Sequence, residues 1–438
     1  MSMLPNGWTQ TKLGKLTSKI GSGATPRGGS KSYKQDGIPL VRSMNVHFDG
    51  FHPTGLAYID DEQAKQLANV EVKTGDILLN ITGASIGRVT IAPQCLNGAR
   101  VNQHVSIIRL LPGFEANYIR YFLASPEMQR FIQEENYGVT RQALTKGMIE
   151  DIDVPLPPLA EQSRIVAKLD SLFARTRRAR AELARIPPLV EHYKQAILAA
   201  AFHDAESVQL SEVTDQIQYG YIARSSHEFA GPRYLRITDI QNGGVNWEQV
   251  PRCIIDPDVL PKYRLVRGDI VFARSGATVG KSLLITDEPG EAVFASYLIR
   301  VRCTSGVLDP EYAALFFQST AYWDQIYEGA TGTGQPNFNG TKLGQIRIPV
   351  QSIDDQRKVV AVAKAQLLSI RNLLQEIKYA QVLLDRLETA YLSRAFRGEL
   401  VPQDPNDEPA AALLERIRSE RVGQSQNKGK SRQRSLSI

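Results

Sequence analysis

The sequence predicts a mixed α/β (α+β) protein. Two related globular domains are separated by long helices that pair as an antiparallel coiled coil with pseudo-twofold symmetry. Three observations predict it: an internal repeat of about 194 residues, Gly-rich segments with short β-branched runs, and a heptad stripe of apolar residues closing each copy.

The repeat comes first. Gly75-Asp76-Ile77-Leu78 with Gly83-Ala84-Ser85-Ile86-Gly87 recurs as Gly268-Asp269-Ile270-Val271 with Gly276-Ala277-Thr278-Val279-Gly280, an offset of 193. Leu40-Val41-Arg42 with Asn45-Val46 recurs as Tyr234-Leu235-Arg236 with Asp239-Ile240, an offset of 194. Ile152-Asp153-Val154-Pro155 matches Ile346-Arg347-Ile348-Pro349, Glu161-Gln162 matches Asp355-Gln356, and Ala201-Phe202 matches Ala395-Phe396. Chance does not hold an offset this constant, so a whole domain plus its helix is duplicated.

In each copy, residues of about 8–153 and 207–347 carry short β-branched or aromatic runs between turn signals. Asp76–Asn80, Val105–Leu110, Asp269–Ala273 and Tyr297–Arg302 are the clearest strands, and Ala116–Glu135 and Pro310–Glu328 are helical. After Pro155-Leu156-Pro157-Pro158 the pattern changes. Ile165, Leu169, Leu172, Thr176, Ala179, Leu183 and Ile186 recur at 4-3 spacing, and Val360, Ala363, Leu367, Ile370, Leu374 and Ile377 do the same, extended by Leu384, Leu387 and Tyr391. A helix over 354–395 would be roughly 60 Å long. Taken singly, each stripe also fits an ordinary core-facing helix. Two in one chain favour each other as partners. Pro187-Pro188 interrupts the first stripe where Gln381-Val382 leave the second intact, so a kink or break is expected near Ile186.

Composition excludes several classes. The chain has 438 residues, 42% hydrophobic and 22% charged, which suits two or three soluble domains. Met1 to Trp8 shows no signal pattern and no apolar run is long enough to span a membrane, so a cytoplasmic location is expected. Cys95, Cys253 and Cys303 are too scattered for a disulfide framework or a zinc site. From Arg416 onward stand seven basic residues and one acid, Glu420, so this stretch alone carries the chain's +6. The polar tail from Gly423 reads as disordered. Net charge therefore says nothing about whether the folded body binds DNA.

Catalytic motifs are largely missing. Ser275–Ser282 falls one glycine short of a phosphate-cradling loop, and the equivalent Gly83–Arg88 lacks Gly-Lys-Ser. No Asn/Asp-Pro-Pro-aromatic tetrapeptide of an amino-methyltransferase occurs. The histidines, His47 and His52 among them, show no ligand spacing.

Pro157-Pro158-Leu159-Ala160-Glu161-Gln162-Ser163-Arg164-Ile165-Val166, the helix end Ala200-Ala201-Phe202, and Ala395-Phe396-Arg397-Gly398-Glu399-Leu400 resemble the repeated spacer regions of type I restriction–modification specificity subunits. The two Gly-Asp-Ile segments do too. The resemblance runs to about residue 421 and leaves the basic tail unassigned. It implies target-recognition domains at 1–155 and 206–349, a central spacer helix region at 156–205 and a C-terminal spacer helix at 350–400. A short helix and basic disordered tail occupy 401–438. It implies double-stranded DNA, two modification (methyltransferase) subunits and restriction subunits as partners. No cofactor or metal is expected on this chain; S-adenosylmethionine, ATP and Mg are expected on the partners. The chain would have no catalysis of its own.

Candidate DNA contacts are donors on Gly-rich loops. In the first domain these are Arg27, Lys31, Arg42, Asn45, Arg88, Arg100, Asn102, Gln103, Arg141 and Gln142. In the second they are Arg224, Arg236, Arg274, Lys281, Ser296, Tyr297, Gln335, Asn337 and Asn339. Each also fits a solvated loop side chain, and Arg42 and Arg236, at one repeat position, also fit frame ion pairs. An enzyme site in the α/β domains and a protein-only scaffold are the other classes left open.

Overall fold

The computed structural model describes residues 4–134, 143–203, 205–241, 243–330 and 338–420. The chain forms two units, Met1–Ala181 with Ala380–Ile438, and Glu182–Tyr379.

In the first unit a four-stranded antiparallel sheet runs in the order Thr17–Ser22, Val105–Leu110, Ile77–Asn80, Val89–Ile91. Ile77–Asn80 is buried along its whole length because successive side chains face opposite cores. Ile77 and Leu79 join Tyr118, Ile119 and Phe122. Leu78 joins Val105, Ile107 and Val101 on the other side. A three-stranded sheet holds Ala57–Ile59, Ile38–Val41 and Arg100–Val101, the last two parallel. Thr9–Lys12 pairs with Asp153–Leu156, so the domain's ends meet.

The second unit repeats this plan, with one strand more, Ser225–Ser226, in the sheet that answers the three-stranded one. Its sheet order is Thr214–Tyr219, Leu298–Cys303, Ile270–Ala273, Ser282–Leu284. Arg233–Leu235 and Ala292–Phe294 form the parallel pair, and Glu206–Gln209 pairs with Arg347–Val350. Ile270 and Phe272 face one core, and Val271 and Ala273 the other.

Each predicted domain helix is two. Ala116–Leu123 is followed by Pro126–Glu134, and Pro310–Phe316 by Thr320–Ala330. Ser125 and Ser319, at one repeat position, explain the break. Their hydroxyls accept from Met128 N and Tyr322 N, both at 3.3 Å, which caps a new helix.

The long helices are Leu159–Ala201 and Ile353–Ala395. In the first unit, Thr176 donates to Glu388 (2.5 Å) and Arg180 bonds Asp385 (2.7 Å) and Glu388 (2.9 Å). One numbering rises as the other falls, so the pair is antiparallel there. Ile165 and Leu169 complete the seam with Leu392 and Ala395. In the second unit Val190 and Ile197 pack with Val360, Ala363 and Ile370.

Two expectations about the helices are corrected. Of the kink or break expected near Ile186, the break does not occur: Pro187 and Pro188 lie inside one continuous helix. Both prolines and Ala184 are exposed, which leaves water access to the helix where Pro188 frees the Ala184 carbonyl. Leu387 does not extend the seam. It is 43% exposed, and Glu388 takes the inward position, engaged by Thr176 and Arg180.

Past the second long helix, the C-terminal segment closes on the first unit. Ala410 N bonds Gly7 O at 2.9 Å and Arg164 pairs with Asp407 at 2.5 Å. Ala410 and Leu413 are buried.

Candidate nucleic-acid interface

In each unit the loops converge at one end of the four-stranded sheet. A glycine makes the convergence possible. A Cβ on Gly23 would stand 1.6 Å from Val101 O, and one on Gly220 would stand 2.2 Å from Ala295 O, so backbone crosses backbone with no room for a side chain. Beyond the crossing, Gly23 N bonds Asn102 O (3.2 Å) and Gly220 N bonds Leu298 O (3.1 Å).

The same backbone pattern then appears twice. In the first unit, Ile81 N donates to His104 O (3.0 Å), and Ile81 O accepts from Leu144 N (3.0 Å). In the second, Arg274 N donates to Tyr297 O (3.1 Å), and Arg274 O accepts from Phe338 N (2.8 Å). Ile81 and Arg274, His104 and Tyr297, and Leu144 and Phe338 are repeat equivalents. The frame is kept and the side chains are replaced.

In the first unit Thr82 bonds His104 Nδ1, Thr25 donates to Gln103, and the Gln103 amide meets His104 Nε2 at 3.1 Å. In the second, the Arg274 guanidinium lies over the Tyr219 ring, 5.1 Å from its centroid. Gly340 N holds the Tyr219 hydroxyl at 2.7 Å. Tyr297 is 62% exposed beside them.

The predicted contacts fall into groups. Arg27, Lys31, Gln103, Arg224, Lys281, Tyr297 and Asn339 are exposed, and Arg88, Arg274 and Ser296 are half-buried. The Asn339 side chain also caps Lys342 N at 2.8 Å.

Others are engaged inside the protein. Arg100 is buried, donating to Ala64 O and Ala99 O (3.1 Å each) and to Gly98 O, with Glu71 at 3.4 Å. Buried Asn102 accepts from His104 N at 3.1 Å. Asn45, fully buried, donates to His52 O (2.9 Å) and Thr54 O (3.2 Å) and accepts from Arg42 N (3.1 Å). Arg236 forms a two-point pair with Asp239 (2.7 and 3.0 Å), whose hydrogen bond holds the guanidinium pKa above its usual value. Arg42 reaches Gly55 O and lies over Tyr33 at 5.5 Å. Arg141, Gln142, Gln335 and Asn337 lie outside the described residues.

Sequence reasoning missed an ion-pair layer under each interface. Asp76 holds Arg109 by two bonds of 2.7 Å. Asp269 holds Arg302 at 2.7 and 3.2 Å, with Arg300 at 3.7 Å. Arg300 is wholly buried, reaching Gln216 and Gln218 (2.8 and 2.6 Å), and burial lowers its pKa to about 10. The signal was present: Arg300 is the repeat equivalent of Ile107.

One grouping of possible metal ligands occurs among the described residues, His47, Asp49 and His52. The two rings stack at 4.0 Å and 16°, which sets their in-plane lone pairs side by side rather than converging.

Residues 5–187 match the family model described as the type I restriction modification DNA specificity domain. The chain is 24% identical to the EcoKI specificity subunit of Escherichia coli K12 and 23% identical to the StySPI specificity subunit of Salmonella potsdam. Each match covers 96% of both chains. In fold it resembles a chain from a type I restriction–modification assembly (TM-score 0.72, 21% identity, 91% of this chain and 100% of that one). It also resembles the HsdS subunit of Thermoanaerobacter tengcongensis (TM-score 0.62, 22% identity, 91% and 98%). Two copies of one fold, each ending in its own cluster of loops, make this an internally duplicated protein. Over 96% of its length the chain is thus similar to type I restriction–modification specificity subunits, and its first half carries the match to their DNA specificity domain.

Proposed function

We propose that each domain reads one half of a bipartite double-stranded DNA target. The observation that carries this is the conserved backbone frame with exchanged side chains at Ile81/Arg274, His104/Tyr297 and Leu144/Phe338. Two readers of one geometry and different chemistry suit an asymmetric target. Exposed Arg27, Lys31, Arg224 and Lys281 serve phosphates; Gln103, Arg141, Gln142, Arg274, Tyr297, Gln335, Asn337 and Asn339 supply base readout. The chain acts in the cytoplasm as a non-catalytic subunit. S-adenosylmethionine, ATP and Mg bind its partners, two modification subunits and the restriction subunits. Outward apolar residues of the long helices, Leu189, Tyr193, Val362 and Leu368, support docking of the modification subunits.

The test is the methylated motif of the assembled system. Exchange of residues 332–339 for a relative's segment should alter one half-site, and substitution of Gln103 and His104 the other. Alteration of both halves by either exchange refutes independent reading. The helices are also proposed to set the gap between half-sites. Four residues inserted after Leu183, roughly 6 Å of helix, should lengthen the methylated spacer by about one or two base pairs. Methylation of the original spacing at full efficiency excludes them as the ruler.

A further inference from the structure

Resting on that reading, we infer that Arg274 is the residue by which the second domain requires a guanine in its half-site, and that Tyr219 holds it ready. Four observations meet here. The Arg274 backbone is fixed on both sides by Tyr297 O and Phe338 N, so the side chain leaves from a rigid point. Its guanidinium rests on the Tyr219 ring, and the Tyr219 hydroxyl is tied to Gly340 N. Arg274 donates no side-chain hydrogen bond to any described residue, and its Nε is buried without a partner. The Nη edge is thus the end left for a ligand. Among the described residues every other interior arginine of this domain is matched: Arg233 by the Pro289 carbonyl, Arg236 by Asp239, Arg302 by Asp269, Arg300 by Asp269, Gln216 and Gln218.

Chemistry chooses guanine over phosphate. An unpaired guanidinium fork held in one plane matches the O6 and N7 acceptors of guanine in the major groove, the commonest specific arginine contact. Phosphate needs only a positive charge at the rim, which exposed Lys281 and Arg224 provide. Tyrosine stacking limits the fork's rotation without competing for its hydrogen bonds. The equivalent Ile81 offers no donor beyond its backbone, so the first domain makes no such contact from this position.

The experiment expresses the complete system with Arg274→Lys, Arg274→Gln or Tyr219→Leu, and with residues 206–349 replaced by a relative's domain as a reference. Methylated motifs are read genome-wide, and assembly with the modification subunits is followed by size-exclusion chromatography. Arg274→Gln should lose the guanine requirement at one position of one half-site, with discrimination falling on the order of 10- to 100-fold, and Arg274→Lys, which keeps the charge but not the planar fork, should weaken it. The other half-site and the spacer should stay as they are. Tyr219→Leu should keep guanine preferred but weaken the preference. Of the two arginine variants, one that assembles is enough to decide. If neither assembles, Tyr219→Leu decides: an undiminished guanine preference, or none in the wild-type half-site, overturns the inference. An unchanged motif with uniformly weaker methylation and a flatter salt dependence makes Arg274 a phosphate contact and also overturns it. If the domain replacement changes neither half-site, the underlying reading fails instead.

Discussion

The two domains share strands, register and ion-pair positions, yet differ where one strand crosses the core. At the same place on the strand beside Ile77–Asn80 or Ile270–Ala273, the first domain has Ile107 and the second has Arg300. Ile107 adds to an apolar cluster. Arg300 instead draws in Gln216, Gln218 and the carbonyls of Lys262 and Arg264. Side-chain chemistry can thus be exchanged even inside the sheet, provided that the partners change with it. The backbone is what the duplication preserves.

The largest expected effect tests the ion-pair layers. Asp269→Ala would leave Arg300 buried beside Arg302 with no anion, which costs about 3–5 kcal/mol. Asp76→Ala would expose only Arg109, itself partly solvated, and should cost less, about 1–3 kcal/mol. Limited proteolysis in denaturant, followed domain by domain, measures both; equal losses would break the contrast. A smaller effect is expected for Arg300→Ile, which copies the first domain. Asp269 keeps Arg302, so the change should stay within about 1.5 kcal/mol of neutral.

The smallest effect concerns Glu161 and its equivalent Asp355, whose pH dependences have opposite sign. Burial raises the pKa of Glu161, although Trp8 Nε1 donates to it at 3.1 Å. Its folded form favours the proton, so stability falls as pH rises through the raised pKa. Asp355 is held below its usual value by Lys358 and Ser352, so its contribution is present above the unfolded pKa and lost as pH falls. Glu161→Gln keeps the Trp8 bond and should stabilise the first domain by about 1 kcal/mol at pH 7. The gain should vanish near pH 4, as read from melting curves across pH. A gain that grows in acid contradicts the assignment.

Much of the fold was legible because burial leaves a periodic mark. Ile77–Asn80, Ile270–Ala273 and both heptad stripes stand where the pattern puts them. The errors have physical causes. Pro126 and the two capping serines divide helices that hydrophobic spacing alone joins. Pro187 and Pro188 were expected to kink or break a helix, but nothing in the pattern tells which way a proline faces. Leu387 outranks Glu388 in hydrophobicity, yet Thr176 and Arg180 on the facing helix decide which turns inward. The site was less legible. Arg100, Asn102 and Asn45 look like free polar groups in sequence, and only the fold shows the carbonyls that Arg100 and Asn45 reach and the His104 N–H that Asn102 accepts. The repeat position of Arg236 already suggested a frame ion pair, but the ring of Tyr219 beneath Arg274 shows only in the fold.

The layer of Thr176, Arg180, Asp385 and Glu388 settles a choice that leucines leave open. Two apolar stripes of seven-residue period can pair almost as well after sliding by one heptad. Here sliding one way sets Arg180 against Lys378 and Gln381, like charge facing like. Sliding the other way sets it against Leu392 and Ala395, an arginine on an apolar floor. Only one alignment gives Arg180 both its carboxylates, at 2.7 and 2.9 Å. Four polar side chains thereby prescribe which turn of one helix meets which turn of the other.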